Sequence, residues 1–152
     1  MRPLLLLPVW GSFPARYWGA MSQQNVEILR WMFDEAQQDP DAMYGMLADD
    51  VEWDTKDLPL PGPSTRFGPD GVRGFFRDWV GAFEAWGYEA EEFIDAGEAT
   101  VVCLHQWGRG KGSGATVENR FWGVWTVRAG KIVRATHHRD KAQALEAAGL
   151  RE

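Results

Sequence analysis

Cysteine is almost missing from this chain of 152 residues. With Cys103 alone, no intrachain disulfide can form and no cysteine-based metal site can assemble. Histidine is nearly as scarce: His105, His137 and His138 lack HExxH spacing, so no metal site is expected. Basic charge is also in short supply. Lys and Arg number 16 against 22 Asp and Glu, a formal net charge of −6. An acidic body argues against nucleic acid or an anionic membrane as the main partner, because both demand a basic face. No apolar run is long enough to span a bilayer; the Leu4–Leu7 run is far too short.

Tryptophan is what the chain has in excess, with nine residues: Trp10, Trp18, Trp31, Trp53, Trp79, Trp86, Trp107, Trp122 and Trp125. Each buries a large apolar area while its indole N–H still wants an acceptor. A small domain needs few of them for a core. The surplus points to an aromatic-lined cavity or a partner surface, with a generously packed core as the plainer alternative.

Length and composition, with 45% hydrophobic and 25% charged residues, fit one globular domain. Residues 1–20 have neither helical nor alternating periodicity. Pro8 and Trp10 interrupt the apolar stretch and no clear A-x-A site follows, so this segment makes a poor signal peptide. The expected domain is 21–150, and 1–20 is expected to be a disordered or over-extended start. A weak export signal is the other reading.

From Ser22, a good N-cap, Val26, Leu29, Phe33 and Ala36 recur at helical spacing. Asp39-Pro40 opens a short second helix through Leu47, and Val51–Asp54 alternates as a strand. Residues 58–69 hold four prolines and two glycines and read as an irregular loop. A third helix is predicted over 70–86, burying Val72, Phe75, Phe76, Trp79, Val80 and Phe83, with Trp86 at its end. Strands follow at 88–95, 100–108, 116–128 and 131–138, and a short helix at 141–148. The glycine-rich run 108–114 lacks the GxxxxGK[ST] order and is followed by a strand, so it is a hairpin tip and not a phosphate loop. The predicted fold class is α+β: a cone-shaped fold with a curved antiparallel sheet packed on three N-terminal helices.

Several stretches, in this order and spacing, carry a resemblance. They are 21–28 (MSQQNVEI), 47–54 (LADDVEWD), 68–76 (GPDGVRGFF), 94–97 (IDAG), 124–133 (VWTVRAGKIV) and 142–150 (AQALEAAGL). Together they resemble the nuclear-transport-factor-2-like superfamily, specifically its SnoaL-like branch. The resemblance implies the cone, no cofactor, and a homodimer through the outer face of the sheet. It does not fix an activity, because the superfamily hosts several chemistries as well as binders. The general-base aspartate of the ketosteroid isomerases falls at Trp53, their first-helix tyrosine near Trp31, and their protonated aspartate near Trp122 or Gly123. The Asp-Arg-Asp set of limonene-type epoxide hydrolases falls near Gln106, Leu104 and His137. The acid/base aspartate of the SnoaL cyclases falls near His137, which keeps a titratable group there.

Alternation turns His137 into the cone with Val133 and Ala135, and His138 outward to solvent or a dimer surface. It also favours Gln106 over His105 as the inward residue, in a position to orient a ligand. His137 and Gln106 are therefore the candidate catalytic residues, although His137 is equally readable as a satisfied interior histidine. Phe121, Gly123 and Trp125 share the inner face of their strand, the glycine leaving space above it. With Trp31, Met46, Trp53, Trp79, Phe83 and Leu104 they form the expected ligand-binding wall. Asp54 and Asp57 are possible mouth residues. Glu118, Arg120, Trp107 and Trp122 are assigned to the outer face. The expected protein binds a hydrophobic, cyclic small molecule in the cytoplasm, with no catalytic constellation. The alternative is an acid/base enzyme of polyketide-cyclase, isomerase or hydratase type using His137.

Overall fold

The computed structural model describes residues 18–150, with side chains from Ser22 onward. The chain runs α1 (Trp18–Ala36), α2 (Asp41–Tyr44), β1 (Leu47–Asp54), β2 (Thr65–Phe67), α3 (Gly68–Val80), β3 (Phe83–Asp95), β4 (Ala99–Gly110), β5 (Thr116–Arg128), β6 (Lys131–His138) and α4 (Lys141–Ala147). Helix α1 reaches back to Trp18, so Ser22 lies inside it and is not its N-cap. The Ser22 hydroxyl instead donates to Asp95 Oδ2 at 2.8 Å, tying the helix to the end of β3. The expectation for the leader lies outside the described residues, apart from these first helical positions.

One six-stranded sheet, in the order β2-β1-β6-β5-β4-β3, carries the architecture. It is not purely antiparallel: β1 runs parallel to β6, with Trp53 beside Ala135 and Asp54 beside Thr136. The helices also differ from the expected three N-terminal ones. Helix α3 follows two strands, and α4 packs at the other end of the chain. The hairpin between β5 and β6 turns at Ala129-Gly130, both at positive φ (50° and 77°), which a two-residue turn requires to match the strand twist.

Two readings of local pattern were overturned by pairing partners distant in sequence. Thr65–Phe67 sits in the proline-rich stretch yet forms β2, with Trp53 opposite Arg66. The Arg66 side chain lies over Gly71 and Gly74, where added Cβ atoms would come within 3.3 Å and 3.2 Å of it. These glycines weaken α3 as a helix, and they are the slot that Arg66 occupies. Second, α3 stops at Val80, and Phe83 and Trp86 belong to β3. Trp86 pairs with Gly108 and Gly87 with Trp107. Cβ atoms at these glycines would meet the Phe83 ring at 2.8 Å and the Trp107 indole at 2.8 Å. Aromatic rings laid across glycines of the partner strand favour the sheet over a longer helix.

The main core lies between the inner sheet face and α1, where Ile28, Leu29, Met32 and Phe33 meet Val51, Trp53, Val102, Leu104, Trp125 and Ala135. Their near-complete burial supplies the cohesion of the cone, at about 1.5–3 kcal/mol for each large aliphatic or aromatic side chain removed from water. A smaller cluster on the outer face, Val101, Val124, Ala144 and Leu145, is covered by α4. The register shift of β6 against β5 between Thr126 and Val127 leaves Val133 as the extra residue. Ile132 and Ala135 therefore enter the main core, and Val133 does not share the inner face as strict alternation would have it.

Candidate functional site

The inner face does not fill completely against the helices. A cavity of about 1110 Å³ remains, large enough for a ligand of several rings. Its deepest wall is built by neighbouring strands: Trp53 from β1, His137 from β6 and Trp125 from β5. The Trp53 and His137 rings lie 4.6 Å apart, Trp53 and Trp125 meet edge-on at 5.3 Å, and Phe121 stands 6.0 Å from His137. Phe33 of α1 closes on Trp125 at 5.3 Å.

His137 is buried, and its Nδ1 lies 3.0 Å from the backbone carbonyl of Asp54. A carbonyl only accepts, so Nδ1 carries the hydrogen and donates it. Burial pulls the imidazole down to about 4 from its ordinary 6.5, and the Asp54 carbonyl offsets part of that fall. At neutral pH the ring is therefore uncharged, with Nε2 as an acceptor. It lacks the second proton that an imidazolium would give as an acid, its Nδ1 hydrogen is held by the Asp54 carbonyl, and a group with so low a pKa is a weak base.

The two tryptophans beside it are almost fully buried, and among the described residues neither indole N–H has a hydrogen-bond partner. Trp125 folds back over Gly123, where a Cβ would come within 2.5 Å of Nε1. The expected space above Gly123 is thus taken by an indole, and Gly123 stands directly opposite His137. Unsatisfied buried donors are costly in an apolar setting. Both nitrogens are sealed from solvent and from the cavity, Trp125 Nε1 against Gly123, so they sit inside the wall and do not face the open space.

Gln106 faces inward, as alternation predicted, but its amide is already engaged. Its Oε1 accepts from the indoles of Trp79 (3.2 Å) and Trp86 (3.0 Å), while Nε2 donates to Asn119 Oδ1 at 2.9 Å. It is a hub that fixes two wall tryptophans, with one of its two Nε2 hydrogens given to Asn119. Trp53, Trp79, Leu104, Phe121 and Trp125 all line the cavity. Trp31 and Met46 are half-buried against the core behind it, and Phe83 backs Trp79 at 5.4 Å without reaching the cavity wall. Sequence reasoning passed over Met43, Tyr44, Tyr88, the loop residues 58–61 and the bordering arginines. The arginines left one readable signal, the spacing of Arg73 and Arg77 by one helical turn.

The acids stay out of the cavity. The Asp54 carboxylate accepts from the Lys56 N–H at 2.9 Å, and Asp57 pairs with His138. His138 is not an outer-surface residue. It is buried between Asp57 Oδ2 and Thr136 Oγ1, each 2.9 Å from a ring nitrogen, because the segment after β1 folds back over the end of β6. On the outer face Arg120 chelates Glu91 (2.7 and 3.1 Å) and Glu118 meets His105 at 2.7 Å. Glu89, Glu91 and His105 bring donor atoms within 4.8 Å of one another there, but Arg120 and Glu118 already engage two of the three. No helix among the described residues is long and apolar enough to cross a membrane.

A family model described as a SnoaL-like domain matches residues 28–135. Among solved structures, an NTF2-like protein from Burkholderia thailandensis E264 is similar at 28% identity over 79% of this chain and 95% of that one, with a TM-score of 0.66. An NTF2-like protein of unknown function from Burkholderia pseudomallei K96243 is similar at 27% identity over 80% and 95%, with a TM-score of 0.64. TerC, co-crystallized with polyporic acid, shares the fold at 23% identity over 82% and 98%, with a TM-score of 0.63. Comparison with the curated proteins finds no match.

Proposed function

The chain belongs to the SnoaL-like domain family, and from that premise we propose that it is a binding protein for a hydrophobic, cyclic small molecule. The observation that carries this reading is the deep wall of Trp53, His137 and Trp125 in a cavity of about 1110 Å³. A ring system gains by leaving water for this wall. A hydroxyl on it would donate to His137 Nε2, the acceptor left by the Nδ1 bond to the Asp54 carbonyl. The second reading, acid/base catalysis, rests on His137 alone, and the low pKa of that ring weighs against it. A second copy of the chain on the outer sheet face is proposed on the strength of Trp107, 44% exposed there. A cytoplasmic location is proposed with it.

The test is a fluorescence titration with the neutral three-ring amine N-phenyl-1-naphthylamine. The expected result is saturable enhancement of the probe with quenching of the protein's tryptophans, at micromolar affinity, roughly 8 kcal/mol of binding. Trp125→Ala should weaken it. No saturable change would sink the binding reading. Turnover of any ring substrate that His137→Gln abolishes, with the fold intact, would restore the catalytic one.

A further inference from the structure

The side chains bordering the cavity that carry charge at neutral pH are of one sign. Arg73, Arg77, Arg120 and Arg139 border it, and among the described residues no aspartate or glutamate does. This arises in a chain whose formal net charge is −6. A general excess of basic residues therefore does not explain it. Arg120 sends its guanidinium to Glu91 on the opposite face, which leaves three.

Two of those three sit on α3, whose Phe76 and Trp79 also line the cavity, and the third directly follows β6. Arg73 and Arg77 are four residues apart on α3, one turn along the same side of the helix. Arg139 follows β6 two residues after His137, at the same parity. Their existing ion pairs are weak, although the Arg73 guanidinium also lies 4.1 Å over the ring of Tyr44, itself a residue of the cavity wall. Arg73 meets Asp41 at 3.4 Å and Arg77 meets its own neighbour Asp78 at 3.6 Å, with all four side chains at least half exposed. Arg139 makes no ion pair among the described residues. Exposed pairs of this kind contribute little and exchange readily for a better acceptor. A planar anion offered to guanidinium groups at the edge of an apolar, low-dielectric wall gains both bidentate hydrogen bonds and reduced screening.

We infer that the ligand of this cavity is an amphipathic anion: an apolar ring body against the Trp53–Trp125 wall, and an acidic group held at the mouth by Arg73, Arg77 and Arg139. The inference rests on the binding reading above and adds a charge requirement to it. It also gives the ligand a direction, ring first.

Two probes of nearly the same shape separate the two claims. The anion 8-anilinonaphthalene-1-sulfonate is N-phenyl-1-naphthylamine with a sulfonate added. The wild-type chain should bind the anion about tenfold more tightly than the neutral amine. The triple variant Arg73→Gln/Arg77→Gln/Arg139→Gln should bring that ratio close to one. Arg139→Gln alone, which breaks no ion pair, should lower it by about threefold and serves if the triple variant fails to fold. Equal or tighter binding of the neutral amine by the wild type would overturn the charge requirement and leave the cavity reading standing. A ratio that survives the arginine substitutions would overturn it as well. If neither probe binds, the cavity reading falls and takes the inference with it.

Discussion

The two faces of the sheet are made by the same strands and differ at alternate residues, yet they do opposite things with polar groups. On the outer face, polar side chains find each other: Arg120 with Glu91, His105 with Glu118, Arg109 with Glu84. On the inner face, Gln106 holds two indoles and an amide, but the indole N–H groups of Trp53 and Trp125 and the Nε2 of His137 are given no partner among the described residues. The two histidines show the contrast most plainly. His105 has carboxylates at 2.7 and 3.8 Å, whereas His137 has a carbonyl, two indoles and a phenyl ring. Strand alternation thus builds a face that is complete in itself and a face that awaits something.

The contrast can be broken by removing its largest inner element. Trp125→Ala should destabilise the fold by about 3–5 kcal/mol, the range for deleting a buried large aromatic, measured by urea unfolding. A loss below about 1 kcal/mol would mean that the inner wall is not packed as described. The next effect is a pH dependence. His137 binds its proton at about 4 when folded and at 6.5 when unfolded, so between those values the unfolded chain holds more protons. Stability is full above about pH 6.5 and falls as the pH drops toward 4, by about 3 kcal/mol in all. His137→Gln should flatten that slope; a slope that survives the substitution unchanged would contradict a ring buried in its neutral form. The smallest effect belongs to the outer pairs. Arg109→Ala, at a half-exposed ion pair, should change stability by less than about 1 kcal/mol, and a larger loss would show that this face is more than a solvated network.

Much of this was legible in the sequence wherever one periodicity ruled. Alternation alone turned Gln106 inward and His105 outward, and it set Phe121, Gly123 and Trp125 on one face. It failed where a distant partner decided. The spacing of Phe83 and Trp86 suits a helix, and only Gly108 and Gly110 across the strand pair show why they are extended. The pairing of Thr65–Phe67 with β1 is invisible among prolines, and the irregularity that sets Val133 aside is a property of two strands together. The employment of Gln106 was equally hidden, because two indoles reach it from α3 and β3 and one amide from β5. Candidate residues could be named from the sequence; whether their hydrogen-bonding capacity was free could not.

The central claim is that His137 is a neutral acceptor set in an apolar cavity wall and not an acid/base group. Imidazole nitrogen chemical shifts, followed by NMR from pH 8 down to the onset of unfolding, test it most directly. The expected result is an uncharged ring with hydrogen on Nδ1 and none on Nε2 throughout that range, down to about pH 4 if the fold persists. Protonation with a midpoint near 6.5 or above, or hydrogen on Nε2 of the neutral ring, would contradict it.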